Sequence, residues 1–220
     1  MDVFGIHRLA ILILFLQTTS ASGTTEVIGA VGRSVTFHSR NPDRNMALWS
    51  FGNDPIVSVI FKDPPRVIFF EDRFKTRFAV SENGHALSIS ELSMEDAGTY
   101  SLNINGKIST FTLQVFKELA EPTVTCEAQN CSDGTCSSSL RCSAPGAGFG
   151  NVSYTWRLRD HTWDRSSVVL LVNETSQEEL GLLLTCTARN PVSNRSVIVT
   201  NFRVLCAGES RGQAGKGGVG

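Results

Sequence analysis

Leu92-Ser-Met-Glu-Asp-Ala-Gly-Thr-Tyr100, running on into the alternating Ser101-Leu-Asn-Ile-Asn105, decides the fold. The acidic residue Asp96, a glycine two further on and a tyrosine two beyond that mark a tight turn feeding a strand. The tyrosine hydroxyl in such a corner bonds back to upstream backbone and pins the chain where it enters the sheet. Short apolar alternations extend to either side, at residues 27–30, 34–38, 47–51, 56–61, 67–70, 77–80, 86–89, 99–105 and 108–115. Turn residues punctuate them at Asn53-Asp-Pro55, Asp63-Pro-Pro65, Asn83-Gly84 and Asn105-Gly106. Asn-Gly between alternating runs is a strong hairpin signal. So many short strands in this length predict a sandwich of two antiparallel sheets.

Trp49 fits the core tryptophan of the third strand, and Arg77 on the fourth strand is the expected ion-pair partner of Asp96. This arrangement is that of an immunoglobulin variable-type domain. The usual inter-sheet cysteines fall at Ser39 and Leu102, so that bridge is missing. The domain must rely on an apolar core, expected at Phe37, Trp49, Phe51, Leu87, Ile89, Leu92, Leu102, Phe111 and Leu113.

The charged stretch Lys117-Glu-Leu-Ala-Glu-Pro122 reads as a linker. Beyond it a second strand series is expected at residues 123–127, 138–143, 152–158, 168–172, 182–188 and 197–204. Cys142, Trp156 and Cys186 follow the order of an immunoglobulin core. Their short spacing predicts a constant-2-type domain without the extra edge strands. Leu184 stands where a corner tyrosine would be. The fold class is therefore all-β, two tandem immunoglobulin-like sandwiches, over residues 23–117 and 121–206.

Met1 to about Ser22 reads as a signal peptide: His7 and Arg8 precede a short apolar run, then Thr18-Thr-Ser-Ala-Ser22. Eight apolar residues are too few to span a bilayer. All six cysteines, Cys126, Cys131, Cys136, Cys142, Cys186 and Cys206, lie in the second half. After a signal peptide an even count reads as disulfides, and none of the spacings is the C-x-x-C of a zinc site. Residues 207–220 are polar and Gly-rich and are expected to form a disordered tail; as written the chain is expected to be soluble and secreted.

The net charge of −1 and the charged fraction of 19% hold no concentrated positive field for nucleic acid. His38, His85 and His161 neighbour no nucleophile motif, and no G-x-S-x-G occurs. Gly146-Ala-Gly-Phe-Gly150 lies between strands, not before a helix, so it cannot aim helix amides at phosphate. The expectation is a non-enzyme with no cofactor, no metal and no small-molecule substrate. Arg73-Phe-Lys-Thr-Arg77 is read as a solvated edge with a core arginine, not as a patch for an acidic partner.

Leu92-Ser-Met-Glu-Asp-Ala-Gly-Thr-Tyr100 and a cysteine-free first domain resemble the signalling lymphocyte activation molecule (SLAM) family. So do Gly134-Thr-Cys-Ser-Ser-Ser-Leu-Arg-Cys142, Asn151-Val-Ser-Tyr-Thr-Trp156, Cys186-Thr-Ala-Arg-Asn-Pro-Val-Ser193 and Leu205-Cys-Ala207 in the second. The resemblance implies a leukocyte adhesion and recognition receptor ectodomain that binds a related immunoglobulin-domain receptor, self or other, on another cell. The alternative is a secreted decoy or regulator of such a receptor. It also implies bridges Cys142–Cys186 and Cys136–Cys206; Cys126 and Cys131 match no family feature, and their pairing is left open, a bridge to each other being one reading. Family members sit at the plasma membrane.

Asn130, Asn151, Asn173 and Asn194 are glycosylation acceptors, all in the second domain; Asn41 and Asn190 are followed by proline. The bare first domain is then the one open to contact. Side chains alternate along a strand. With Trp49, Tyr100 and Phe111 inward, Leu48, Ser50, Ser101, Asn103, Thr110 and Thr112 point outward. The run at 56–61 is apolar on both faces, so Val57, Val59 and Phe61 are expected to join that exposed face. The other reading of the run is that it packs under the hairpin at 67–70.

Overall fold

The computed structural model describes residues 23–40, 46–133, 135–158, 161–174 and 183–209. The expected signal peptide and residues 210–220 of the expected tail lie outside them. The described chain is built from strands, with two 3-10 turns and one helix.

The first strand series is β1 Thr24–Ala30, β2 Val35–His38, β3 Met46–Phe51, β4 Asp54–Ile60, β5 Arg66–Phe69, β6 Phe78–Val80, β7 Ala86–Ile89, β8 Gly98–Ile104 and β9 Lys107–Phe116. They form a six-stranded sheet in the order β1-β9-β8-β3-β4-β5 and a three-stranded sheet β2-β7-β6. Every strand expected in this half is present. The sheets are held by an aromatic cluster in place of a disulfide. Phe37 of β2 lies 4.7 Å from the Tyr100 ring, 5.3 Å from Phe111 and 6.3 Å from Trp49. Where the missing cystine would sit, the Ser39 and Ser109 hydroxyls meet at 3.2 Å. Ser109 is paired across the ladder with the buried Leu102. Of the expected core, Phe51 alone is half-buried; the rest are buried.

The indole N–H of Trp49 donates to the Gly84 carbonyl at 2.9 Å, which satisfies the one polar atom of a fully buried side chain. Asp96 is buried at the end of the 3-10 turn Met94–Asp96, where its carboxylate accepts the Ser93 backbone N–H at 2.7 Å and the Ser93 hydroxyl at 3.1 Å. Arg77 is half-buried with its guanidinium 5.8 Å from the Phe78 ring centre.

The second series is β10 Thr123–Ser132, β11 Thr135–Ser143, β12 Ser153–Leu158, β13 His161–Ser166, β14 Val169–Glu174, β15 Leu184–Arg189 and β16 Asn194–Val199. The sheets are β10-β11-β14 and β13-β12-β15-β16. Their core gathers Leu140, Cys142, Trp156, Leu170, Leu184 and Cys186. Three differences from the sequence reading stand out. First, β13 adds an edge strand that the short cysteine spacing argued against. Second, the strand expected to reach Val204 ends at Val199, and a helix, α1 Phe202–Glu209, follows and takes up the start of the expected tail. The Asn201 side chain accepts the Val204 backbone N–H at 3.2 Å, an N-terminal cap of the kind that starts helices.

The third difference concerns disulfides. Cys142 is bridged to Cys186, but Cys126 is joined to Cys206 and Cys131 to Cys136. The implied pair Cys136–Cys206 is corrected, and the pairing left open for Cys126 and Cys131 is not with each other. The cause is the β10–β11 register. Cys131 lies opposite Cys136 and Ser132 opposite Thr135, so these cysteines are neighbours from the moment the hairpin closes. Cys126, further down β10, is buried and is reached by Cys206 from α1.

The stretch read as a linker is tied down. The side-chain amide of Asn190 donates to the carbonyls of Lys117 at 2.8 Å and Phe149 at 3.1 Å. Its oxygen accepts the Ser193 backbone N–H and hydroxyl, both at 2.8 Å. The Ser193 hydroxyl accepts the Leu119 N–H at 2.8 Å, and Arg195 donates to the Leu119 carbonyl at 3.1 Å. Leu119 is buried.

Candidate recognition surface

The outward face of the six-stranded sheet follows from its register. In an antiparallel ladder, residues directly opposite share a face. Trp49 and Ala47 are fully buried and point inward. Leu102 lies opposite Trp49, and Tyr100 lies opposite Phe111, so these also mark the inner face. The outward set on β3, β8 and β9 is then Met46, Leu48, Ser50, Thr99, Ser101, Asn103, Ile108, Thr110, Thr112 and Gln114. Within it, Ser50, Ser101 and Thr110 form one row, and Leu48, Asn103 and Ile108 the next.

Strand β4 departs from the expectation. Val57 pairs with Trp49 and Val59 with Ala47. Both valines therefore face inward, and both are 0% exposed. The register then shifts, with Ser50 opposite Pro55, so that Ile56 is the extra residue of a bulge. A bulge lets two successive residues leave the strict alternation, which is how Ile56 and Val57 are both fully buried. Phe61 is also on the inner side: a Cβ on Gly84 would lie 2.9 Å from its ring and 3.0 Å from Ala47. Val57, Val59 and Phe61 are removed from the exposed face. What β4 turns outward is Ser58, which is only 8% exposed, and the half-buried Ile60.

The outward face thus contains a row across five strands: Ile68, Ser58, Leu48, Asn103 and Ile108. Beside it lie Arg66, Ile60 and Met46. Met46 is 52% exposed and Ile108 65%. No outward position named on β3, β4, β8 or β9 is ionisable. The amide oxygen of Asn103 accepts the Gly106 N–H at 2.9 Å, which fixes the end of the β8–β9 hairpin beside Ile108.

The basic run is accounted for locally. Arg73 meets Glu71 at 2.8 Å and Lys75 meets Asp72 at 2.6 Å. The Lys75 ammonium, by hydrogen bond and charge, holds the exposed Asp72 carboxyl below the usual carboxylate range. His38 is exposed and His85 is half-buried, its ring 6.3 Å from Phe61; the side chain of His161 lies outside the described residues. Of the expected glycan acceptors, Asn130, Asn151 and Asn194 are exposed, and the Asn173 side chain lies outside the described residues. Sequence reading missed Asn190, whose signal was the turn-forming Asn-Pro-Val-Ser after a strand, and the bulge at Ile56, signalled by Pro55 at the strand start.

The comparisons agree with this architecture. The chain is 31% identical over 218 residues to SLAM family member 5 of Homo sapiens, covering 91% of this chain and 61% of that protein. It is 29% identical over 203 residues to human SLAM family member 7, covering 88% and 60%. It spans about three fifths of the length of these relatives. Among solved structures, the CD2-binding domain of CD58 superposes with a TM-score of 0.56 at 21% identity, over 80% of this chain and 95% of that one, which shows the shared fold. No protein-family model matches the chain. The relatives are immunoglobulin-superfamily receptors of immune-cell recognition, not enzymes.

Proposed function

For a chain that belongs to the SLAM family of the immunoglobulin superfamily, we propose recognition of an immunoglobulin-domain receptor on another cell through the outward face of the six-stranded sheet. The observation that carries this reading is the uncharged row Ile68, Ser58, Leu48, Asn103 and Ile108, with Ile108 exposed at its end and Met46 exposed beside it. An apolar centre with hydroxyl and amide groups around it matches a modest protein interface, where charged residues are depleted at the core. Solvent-exposed apolar side chains gathered on one sheet mark an interaction site more than scattered ones do.

Glycan placement supports the same face. All four acceptors fall in the second sandwich, so bulky sugars leave the first sheet open. Mass spectrometry of protein secreted by mammalian cells is expected to find glycan within residues 121–206 and none within 23–117. Asn130 is expected to be the least occupied, because Cys131 within its sequon is bridged.

The decisive experiment places a carboxylate at Leu48 or Ile108 and, in a second set, at exposed positions of the β2-β7-β6 sheet. Binding to cells displaying family receptors, including this one, is expected to fall only for the first set, with melting unchanged. Loss only from the second set would refute the face.

A further inference from the structure

The three bridges are not equivalent in reach. Cys142 and Cys186 are 0% exposed, and Cys126 and Cys206 are buried, whereas Cys131 is exposed and Cys136 is half-buried. The buried pairs close long stretches, with sequence separations of 44 and 80; Cys131 and Cys136 are 5 apart. Thiol–disulfide exchange needs a thiolate to approach a sulfur along the S–S axis, so access sets the rate.

We propose that Cys131–Cys136 is a thiol-exchange site, opened by an external dithiol while the other two bridges stay closed. A thiolate of the dithiol attacks Sγ of Cys131, the more exposed partner. A mixed disulfide forms, the Cys131–Cys136 bond breaks, and the electron pair leaves on Sγ of Cys136, which takes a proton from water. The second thiolate of the dithiol then attacks the mixed disulfide, closing the reagent into its own cyclic disulfide and releasing Cys131 as the thiolate. The protein bridge is reduced by two electrons and the dithiol oxidised by two.

Opening leaves the sheet in place. The β10–β11 ladder runs from Thr123 opposite Ser143 to Ser132 opposite Thr135, and the Thr135 hydroxyl donates to the Ser132 carbonyl at 2.9 Å across the hairpin end. The two thiols therefore remain opposite one another and re-form the same bridge when the reductant is removed. The buried pairs cannot intrude, because their sulfurs lie in the core of the second sandwich.

The test uses the whole secreted chain under native conditions. It is pulsed with dithiothreitol, alkylated at intervals, and mapped by mass spectrometry. Cys131 and Cys136 are expected to label on the order of tenfold or more faster than the other four. A second sample, freed of reductant before alkylation, is expected to return to Cys131–Cys136 alone. Labelling of Cys142, Cys186, Cys126 or Cys206 as early as Cys131, or a scrambled map after reoxidation, would overturn the proposal.

Discussion

Val57 lies directly across the β3–β4 ladder from Trp49, and the two side chains share the inner face of the sheet. Leu48, one residue earlier than Trp49, is on the other face. The pair of positions separates folding from recognition. Val57→Asp buries an unpaired carboxylate and is expected to cost at least about 3 kcal/mol. Leu48→Asp, at a half-buried position on the outer face, reaches solvent and is expected to cost about 1 kcal/mol. Denaturant unfolding of the two variants checks the order; equal costs would mean that the register is wrong.

Gly84 accepts the Trp49 indole and holds φ at 65°. An added Cβ would sit 2.9 Å from the Phe61 ring. Gly84→Ala therefore combines left-handed strain with a steric conflict, and about 2–3 kcal/mol is expected. Gly52 has φ 56°, but a Cβ added there would meet nothing within 4 Å, so Gly52→Ala is expected to cost only about 1 kcal/mol. Thermal melts of both variants decide whether contact or backbone dominates.

The bridges should differ in their contribution to stability as well as in access. By loop closure, removing Cys126–Cys206 is expected to cost about 4 kcal/mol and removing Cys131–Cys136 about 2 kcal/mol. Paired Cys→Ser variants and urea unfolding measure this. Peptide mapping without reduction is expected to recover the three pairs, and a Cys136–Cys206 peptide would contradict the register of β10 and β11.

Where the sequence was legible, the signal was period-two alternation bounded by Asn-Gly or Pro, which located all nine strands of the first sandwich. β13, His161-Thr-Trp-Asp-Arg-Ser166, has no apolar alternation, so nothing local announced it. The run after Val197 is apolar enough for a strand, and only Asn201, as a cap, distinguishes the helix that follows. The Cys131–Cys136 neighbourhood was readable: Asp-Gly in sequence is a hairpin signal, and the ladder sets Ser132 against Thr135 and Cys131 against Cys136. Carrying a pairing over from family resemblance overrode that local signal. The face of β4 was misassigned because alternation alone cannot show a bulge; the inward valines became visible only through their partners on β3.

Asn190 uses both ends of its side chain, donating to Lys117 and Phe149 and accepting from Ser193. Asn190→Asp keeps the acceptor and turns a carboxylate against two carbonyl oxygens. A loss of about 2–3 kcal/mol is expected, together with faster proteolysis within residues 117–122. Cleavage there at the parent rate would show that Asn190 does not hold this segment.

Asp96 and Arg77 test what holds the corner before Tyr100. Asp96 already caps its own turn through Ser93, and a cap of this kind contributes about 1 kcal/mol. A buried carboxylate that also balances a guanidinium contributes more, because removing either partner leaves the other charged and poorly solvated, at about 3–5 kcal/mol. Because Arg77 is only half-buried, Asp96→Ala and Arg77→Ala are each expected to destabilise the first sandwich by a similar amount, about 2–3 kcal/mol, below the cost of breaking a fully buried pair. The double variant is expected to cost less than the sum by at least about 1 kcal/mol. Unfolding of all four proteins closes the cycle. Additivity would confine Asp96 to its capping role, and the cost of Asp96→Ala would then fall to that of the Ser93 contacts.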